Sequence, residues 1–179
     1  MYTKKIYFSG GDFRELQEVF EGVPGVVKVV AGYINSEIVH RCMCVDSDTG
    51  KVENFPGIMI EFNPKKMDLS MLMDVLFTIT NPYKDKNVGV YYTSGEDEPQ
   101  IELHLNFIAN RGKQPDVSGA NLTVNDPNSN PRFARKCYAS AGRLKNFVEA
   151  EEDLQHYFKK HPEASADIDF VKLKTYLRF

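Results

Sequence analysis

The chain has 179 residues, 42% hydrophobic and 26% charged, with a net charge of −3. This is the composition of a single globular domain with one buried core; it argues against a nucleic-acid surface built on excess positive charge, and no apolar run approaches the ~18 residues of a membrane span. Met1 to Lys5 lacks the apolar centre of a signal peptide, and the odd set of three cysteines, Cys42, Cys44 and Cys137, suits a reducing compartment, so the cytoplasm is the expected address.

Lys5 to Ser9 is a short apolar and aromatic run closed by Gly10-Gly11, the pattern of a buried strand ending in a turn. Phe13, Leu16, Val19, Phe20 and Val23 then recur at helical spacing, with Gly22 and Pro24-Gly25 ending the helix. Asp12 stands where a helix cap belongs, and Glu15 three residues later completes the pattern of a capping box. Val26 to Ile34 is β-branched and predicts a second strand; Glu37 to Val45 either pairs beside it or runs as a loop. Ile58 to Phe62 alternates as a strand, Asn63-Pro64-Lys65-Lys66 marks a turn, and Asp68 caps a helix that points Leu69, Leu72, Met73, Leu76 and Phe77 inward. Val88 to Thr93 predicts a strand and Pro99 to Asn110 a helix. Gly112 to Pro131, rich in Gly, Pro, Asn, Asp and Ser, predicts a long loop inserted into the domain. Strands and helices alternating in this way predict an α+β fold, a two-layer α/β sandwich with a mixed sheet flanked by helices, spanning residues 1–179.

The stretch Ile6-Tyr7-Phe8-Ser9-Gly10-Gly11-Asp12-Phe13-Arg14, followed by Val23-Pro24-Gly25-Val26-Val27 and Gly32-Tyr33, resembles the N-terminal signature of the methionine sulfoxide reductase A family. Ile60 to Leu69, Gly89-Val90-Tyr91-Tyr92, and Ala150-Glu151-Glu152-Asp153-Leu154-Gln155 with Tyr157 resemble later stretches of the same family, so the resemblance touches most of the chain. It implies the family's α+β fold with a ferredoxin-like core, and it draws attention to a departure. The family pattern reads Gly-Gly-Cys-Phe-Trp, with a nucleophilic cysteine and a tryptophan of the methyl pocket, where this chain has Asp12 and Arg14. A thiol at a helix start is acidified by free backbone N–H groups and attacks the sulfoxide sulfur to give a sulfenic acid. A carboxylate has neither that nucleophilicity nor that redox chemistry. The resemblance also implies recycling cysteines in a Gly-rich tail, whereas Lys172 to Phe179 reads as helix.

By resemblance, Tyr33 would hydrogen-bond the sulfoxide oxygen and Phe13 would wall the pocket; from the residues alone both are equally ordinary packing groups. Arg14 needs a partner if enclosed, and Asp12 is within reach, so the two charges are expected to pair and fill the former pocket, favouring a polar ligand, a peptide or none. The family's catalytic glutamate finds its only candidate match around Ile38 to Cys44, at His40 or Cys42, neither of them a glutamate. His40 reads as a general acid or as polar surface. Cys42-x-Cys44 reads as a redox pair or as half of a metal site lacking its other ligands. The segment between Pro82 and Gly89 is shorter than the family's polar stretch, with Tyr83 as a substitute tyrosine. These losses together predict a family member without reductase activity that keeps a fold or binding role at Asp12, Phe13, Arg14 and Tyr33. The alternatives are a peptide-methionine (S)-S-oxide reductase working through a displaced thiol, Cys42 or Cys44, and a structural or interaction module. No cofactor, metal, nucleic acid or membrane partner is expected.

Overall fold

A computed structural model describes residues 2–41, 52–109 and 137–177, without the side chains of residues 39–41, 52–53 and 109. Strand β1 (Lys4–Ser9) leads through Gly10-Gly11 into helix α1 (Phe13–Glu21), and β2 (Val26–Arg41) and β3 (Val52–Phe62) form the longest antiparallel pair. Helix α2 (Leu69–Ile79), strand β4 (Gly89–Tyr92), helix α3 (Glu98–Ala109) and strand β5 (Ser140–Glu149) follow. A 3-10 turn at Glu152–Leu154 precedes α4 (Tyr157–Lys160) and α5 (Phe170–Leu177). No helix among the described residues is long and apolar enough to cross a membrane.

The expected flanked sandwich is corrected to a closed barrel in the order β1-β3-β2-β5-β4. Closure comes from β1, which pairs antiparallel with β3 over its whole length and with β4 from Tyr7↔Tyr91 to Ser9↔Gly89. The sheet is mixed, as expected, because β4 and β5 run parallel. Alternation of side chains along the strands divides the interior in two. One face gives Ile6, Phe8, Val29, Ile58, Ile60, Phe62, Val90 and Tyr92 to a large core shared with Leu16, Val19 and Phe20 of α1 and Leu72, Met73 and Leu76 of α2. The opposite face carries a smaller cluster of Tyr7, Val30, Ile34, Phe55, Met59 and Tyr91.

Several elements match their sequence signals closely. Asp68 caps α2 by accepting from the Ser70 N–H, and the Asn63 to Lys66 turn is closed by Asn63. Along α2 the fifth inward residue is Val75, with Phe77 only half buried. The loop expected at Gly112 to Pro131 and the residues Cys42 and Cys44 lie outside the described residues. Cys137 is buried and disulfide-bonded, so the odd cysteine count does not mean three free thiols.

Candidate functional site

The β1–α1 corner has the geometry that its sequence requires. Gly10 and Gly11 hold φ of 140° and 65°, backbone states that side-chain-bearing residues rarely adopt, and a Cβ at Gly10 would meet Thr80 Cγ2 at 3.0 Å. The chain thus turns within two residues from a buried strand to the first turn of α1. Asp12 stands at the cap in extended conformation, and its carboxylate accepts the Arg14 N–H at 2.8 Å.

The same carboxylate is gripped from its side by the Arg14 guanidinium. Nε lies 3.0 Å from each oxygen and the terminal nitrogen 2.5 Å from Oδ2, a bidentate pair between residues two apart. The guanidinium carbon sits 4.5 Å from the centre of the Tyr157 ring, a cation–π contact that ties α1 to α4. Burial pushes the Asp12 carboxyl up, but the Arg14 hydrogen bonds and charge outweigh it and hold the group below the usual carboxylate value. The expected pairing of Asp12 with Arg14 is present. Its setting is not a buried pocket, since the two side chains remain 34% and 30% exposed.

The anticipated capping box does not form. Glu15 turns away from Asp12 and is buried, accepting from the backbone N–H of Asp167 at 2.5 Å and of Ile168 at 3.3 Å. A carboxylate in the first turn complements the helix dipole wherever it points, so a tertiary partner can take it without loss at the helix end.

Phe13 and Tyr33 lie together, ring centroids 5.9 Å apart, both half buried. Opposite Tyr33 on β3 stands Pro56, which supplies neither a proton nor a hydrogen bond donor. The open space adjoining the glycine pair is a cavity of about 430 Å³ bordered by Gly10, Gly11, Pro56 and the stretch Lys84 to Asn87; Asp12, Phe13, Arg14 and Tyr33 do not line it. The Tyr83 hydroxyl donates to the Ile108 carbonyl at 2.7 Å. His40 is on β2, paired with Ala141, seven residues beyond Tyr33, up to roughly 23 Å of extended chain. The structure therefore gathers Asp12, Phe13, Arg14 and Tyr33 at one corner and leaves His40 at the far end of the strand. Among the described residues no group of three or more His, Cys, Asp or Glu is arranged to hold a metal ion.

Sequence reasoning missed the feature that anchors this corner. Gln17 of α1 and Gln155 are both buried and joined Nε2 to Oε1 at 3.1 Å. Gln155 also pairs with Ala31 of β2 as a strand residue would, accepting its N–H at 3.0 Å and donating to its carbonyl at 2.7 Å, while donating to Ala150 at 3.2 Å. Gln17 donates to Val29 O and accepts the His156 N–H at 2.8 Å. The available signal was Gln17 within the apolar stripe of α1, where a polar residue asks for a partner.

Comparison with known proteins follows the same outline. The pattern of the peptide methionine sulfoxide reductase family matches residues 4–177. Peptide methionine sulfoxide reductase MsrA of Mycoplasma genitalium is 26% identical over 180 residues, covering 93% of this chain and 99% of that protein. The MsrA of Pasteurella multocida is 25% identical over 185 residues, covering 97% and 95%. In three dimensions the chain is similar to Mxr1 of Saccharomyces cerevisiae in reduced form, with TM-score 0.61, 21% identity and coverage of 92% and 88%. Methionine sulfoxide reductase A of Corynebacterium diphtheriae gives TM-score 0.64 at 13% identity, covering 92% and 78%. The chain belongs to the peptide methionine sulfoxide reductase family.

Proposed function

We propose that this member of the peptide methionine sulfoxide reductase family does not reduce methionine sulfoxide from the start of α1 and has kept the family scaffold for a folding or binding role. The observation that carries this reading is the bidentate Asp12–Arg14 pair across the first turn of the helix. A nucleophile at that position must be free, electron-rich and polarizable. Asp12 is a hard anion, and both its oxygens are engaged by a neighbouring guanidinium and a backbone N–H. Proton delivery beside Tyr33 is equally unsupported, because its partner across the ladder is Pro56 and the ring packed on it is Phe13, neither of which titrates. Tyr33 and Tyr157 offer hydroxyls, which make ligand contacts and not a catalytic set.

Reduction of a methionine sulfoxide peptide by dithiothreitol, followed chromatographically with the wild type and the Cys42→Ser, Cys44→Ser double variant, tests the reading. Absence of enzymatic turnover in both is expected. Turnover by the wild type that disappears in the double variant would establish a displaced thiol instead. Turnover that survives the double variant refutes both readings.

A further inference from the structure

Beyond the buried Gln155 no residue from His156 to Leu177 is fully buried, and α5 itself buries none. Its hold on the rest of the molecule is narrow. Phe170, Leu173 and Leu177 pack, partly exposed, against the large core, while Val171 and Tyr176 are 77% and 74% exposed. Among the described residues from His161 to Leu177, just two hydrogen bonds reach the body of the protein before His156, and one side chain accepts both. Glu15 of α1, itself buried, takes the N–H of Asp167 at 2.5 Å and of Ile168 at 3.3 Å. The ion pairs of this stretch, His161 with Glu163 and Lys172 with Asp169, stay within it. An isolated helix of eight residues is unstable in water, so α5 is helical only while docked. The Glu15 carboxylate is the polar part of that dock.

From α5 a line of rings leads back to the Asp12 corner. Phe170 stands edge-on to Phe158 of α4, with centroids 5.3 Å apart and planes at 66°. Phe158 meets Tyr157 at 5.5 Å and 90°, and the Tyr157 ring is the one that carries the Arg14 guanidinium at 4.5 Å. Arg14 and Glu15 are neighbours in the first turn of α1. That turn therefore holds both ends of a circuit: Glu15 takes the backbone ahead of α5, and Arg14 takes the ring on α4.

We propose that the segment from Asp167 to Leu177 is a strap latched by Glu15, and that its docking, passed through Phe170, Phe158 and Tyr157, keeps the Arg14 guanidinium on Asp12. A segment with few buried contacts and one anchor opens locally, without unfolding of the barrel. With the strap raised, the guanidinium loses the ring behind it and the Asp12 corner opens. The use of that opening rests on the binding role proposed above; the latch and its link to Arg14 do not.

Adjacent rings do not by themselves transmit a change, so the experiment reads both ends. Hydrogen exchange is followed by NMR on the ¹⁵N-labelled full chain, at the amides of Leu173 to Leu177, at those of β1 and at Arg14 Nε–H. In the wild type the α5 amides are expected to exchange at least about tenfold faster than those of β1, which report opening of the whole barrel. Glu15→Ala should lower α5 protection about tenfold further, the effect of losing a charge-assisted anchor, and Glu15→Gln, which keeps an acceptor oxygen, should restore part of it. Phe170→Ala should raise Arg14 Nε–H exchange a few-fold, and by reciprocity Arg14→Ala should lower α5 protection by a similar factor. Exchange of α5 in step with β1 overturns the strap, unchanged α5 protection in Glu15→Ala overturns the latch, and an Arg14 Nε–H indifferent to Phe170→Ala overturns the link. None of these readouts involves sulfoxide reduction, so each stands or falls apart from the reductase assay.

Discussion

The start and the body of helix α1 differ in character. At its start, Asp12 and Arg14 are partly exposed and bound to each other across the first turn, with one ring contact to Tyr157 of α4. Within its body, Gln17 is buried and reaches Gln155, 138 residues away, through an amide network with every polar atom engaged. The first arrangement is screened by water and replaceable; the second holds the end of the chain onto β2 in a medium where an unpaired amide is costly. The start of α1 is thus a local staple, while the support behind it reaches across the fold.

That contrast predicts a ranked series of effects. Gln155→Leu strips partners from Ala31, Ala150 and Gln17 at once and should cost about 3 kcal/mol in urea unfolding. Adding Gln17→Leu should cost less than the sum of the single changes, since the two amides share one bond; a fully additive result would dissolve the network into independent contacts. Glu15→Ala, which releases the backbone of Asp167 and Ile168, should cost about 1–2 kcal/mol and loosen the approach to α5.

Asp12→Ala comes next, at about 1 kcal/mol, chiefly through the lost helix cap. Asp12→Asn keeps the cap and so isolates the charge. Because the Arg14 pair holds the folded carboxyl below the usual carboxylate value, its stabilisation is complete above that usual value and fades as pH falls through the lower, folded one. The wild type should therefore lose its advantage over Asp12→Asn as the pH falls below about 4, and a difference that stays constant from neutral pH into that acid range would contradict the assigned pair. Arg14→Ala, removing a half-exposed ion pair and one ring contact, should have the smallest effect, under about 1 kcal/mol.

Legibility in the sequence followed the range of the interactions. The β1-turn-α1 corner, the Asp12 and Asp68 caps and the Asp12–Arg14 pair depend on residues within a few positions of each other, and local rules recovered them. Barrel closure did not show, because it rests on β1 meeting β4 more than 80 residues away and on β5, whose run Gly142-Arg143-Leu144-Lys145-Asn146 has no sustained apolar alternation. The fate of Glu15 was misjudged for the same reason: the capping pattern is local, and the backbone of Asp167 that claims the carboxylate is not. Gln155 carries no local sign of burial and acts as a piece of strand.

Strand β1 is the six-residue seam of the barrel, with β3 on one flank and β4 on the other. A ring fastened there has no end from which to fray at that strand, so the amides of Ile6, Tyr7 and Phe8 can reach solvent deuterium only when the whole barrel lets go. They should mark the slowest-exchanging stretch of the molecule, and the corner leading to Asp12 inherits its fixed position from the last part of the protein to melt.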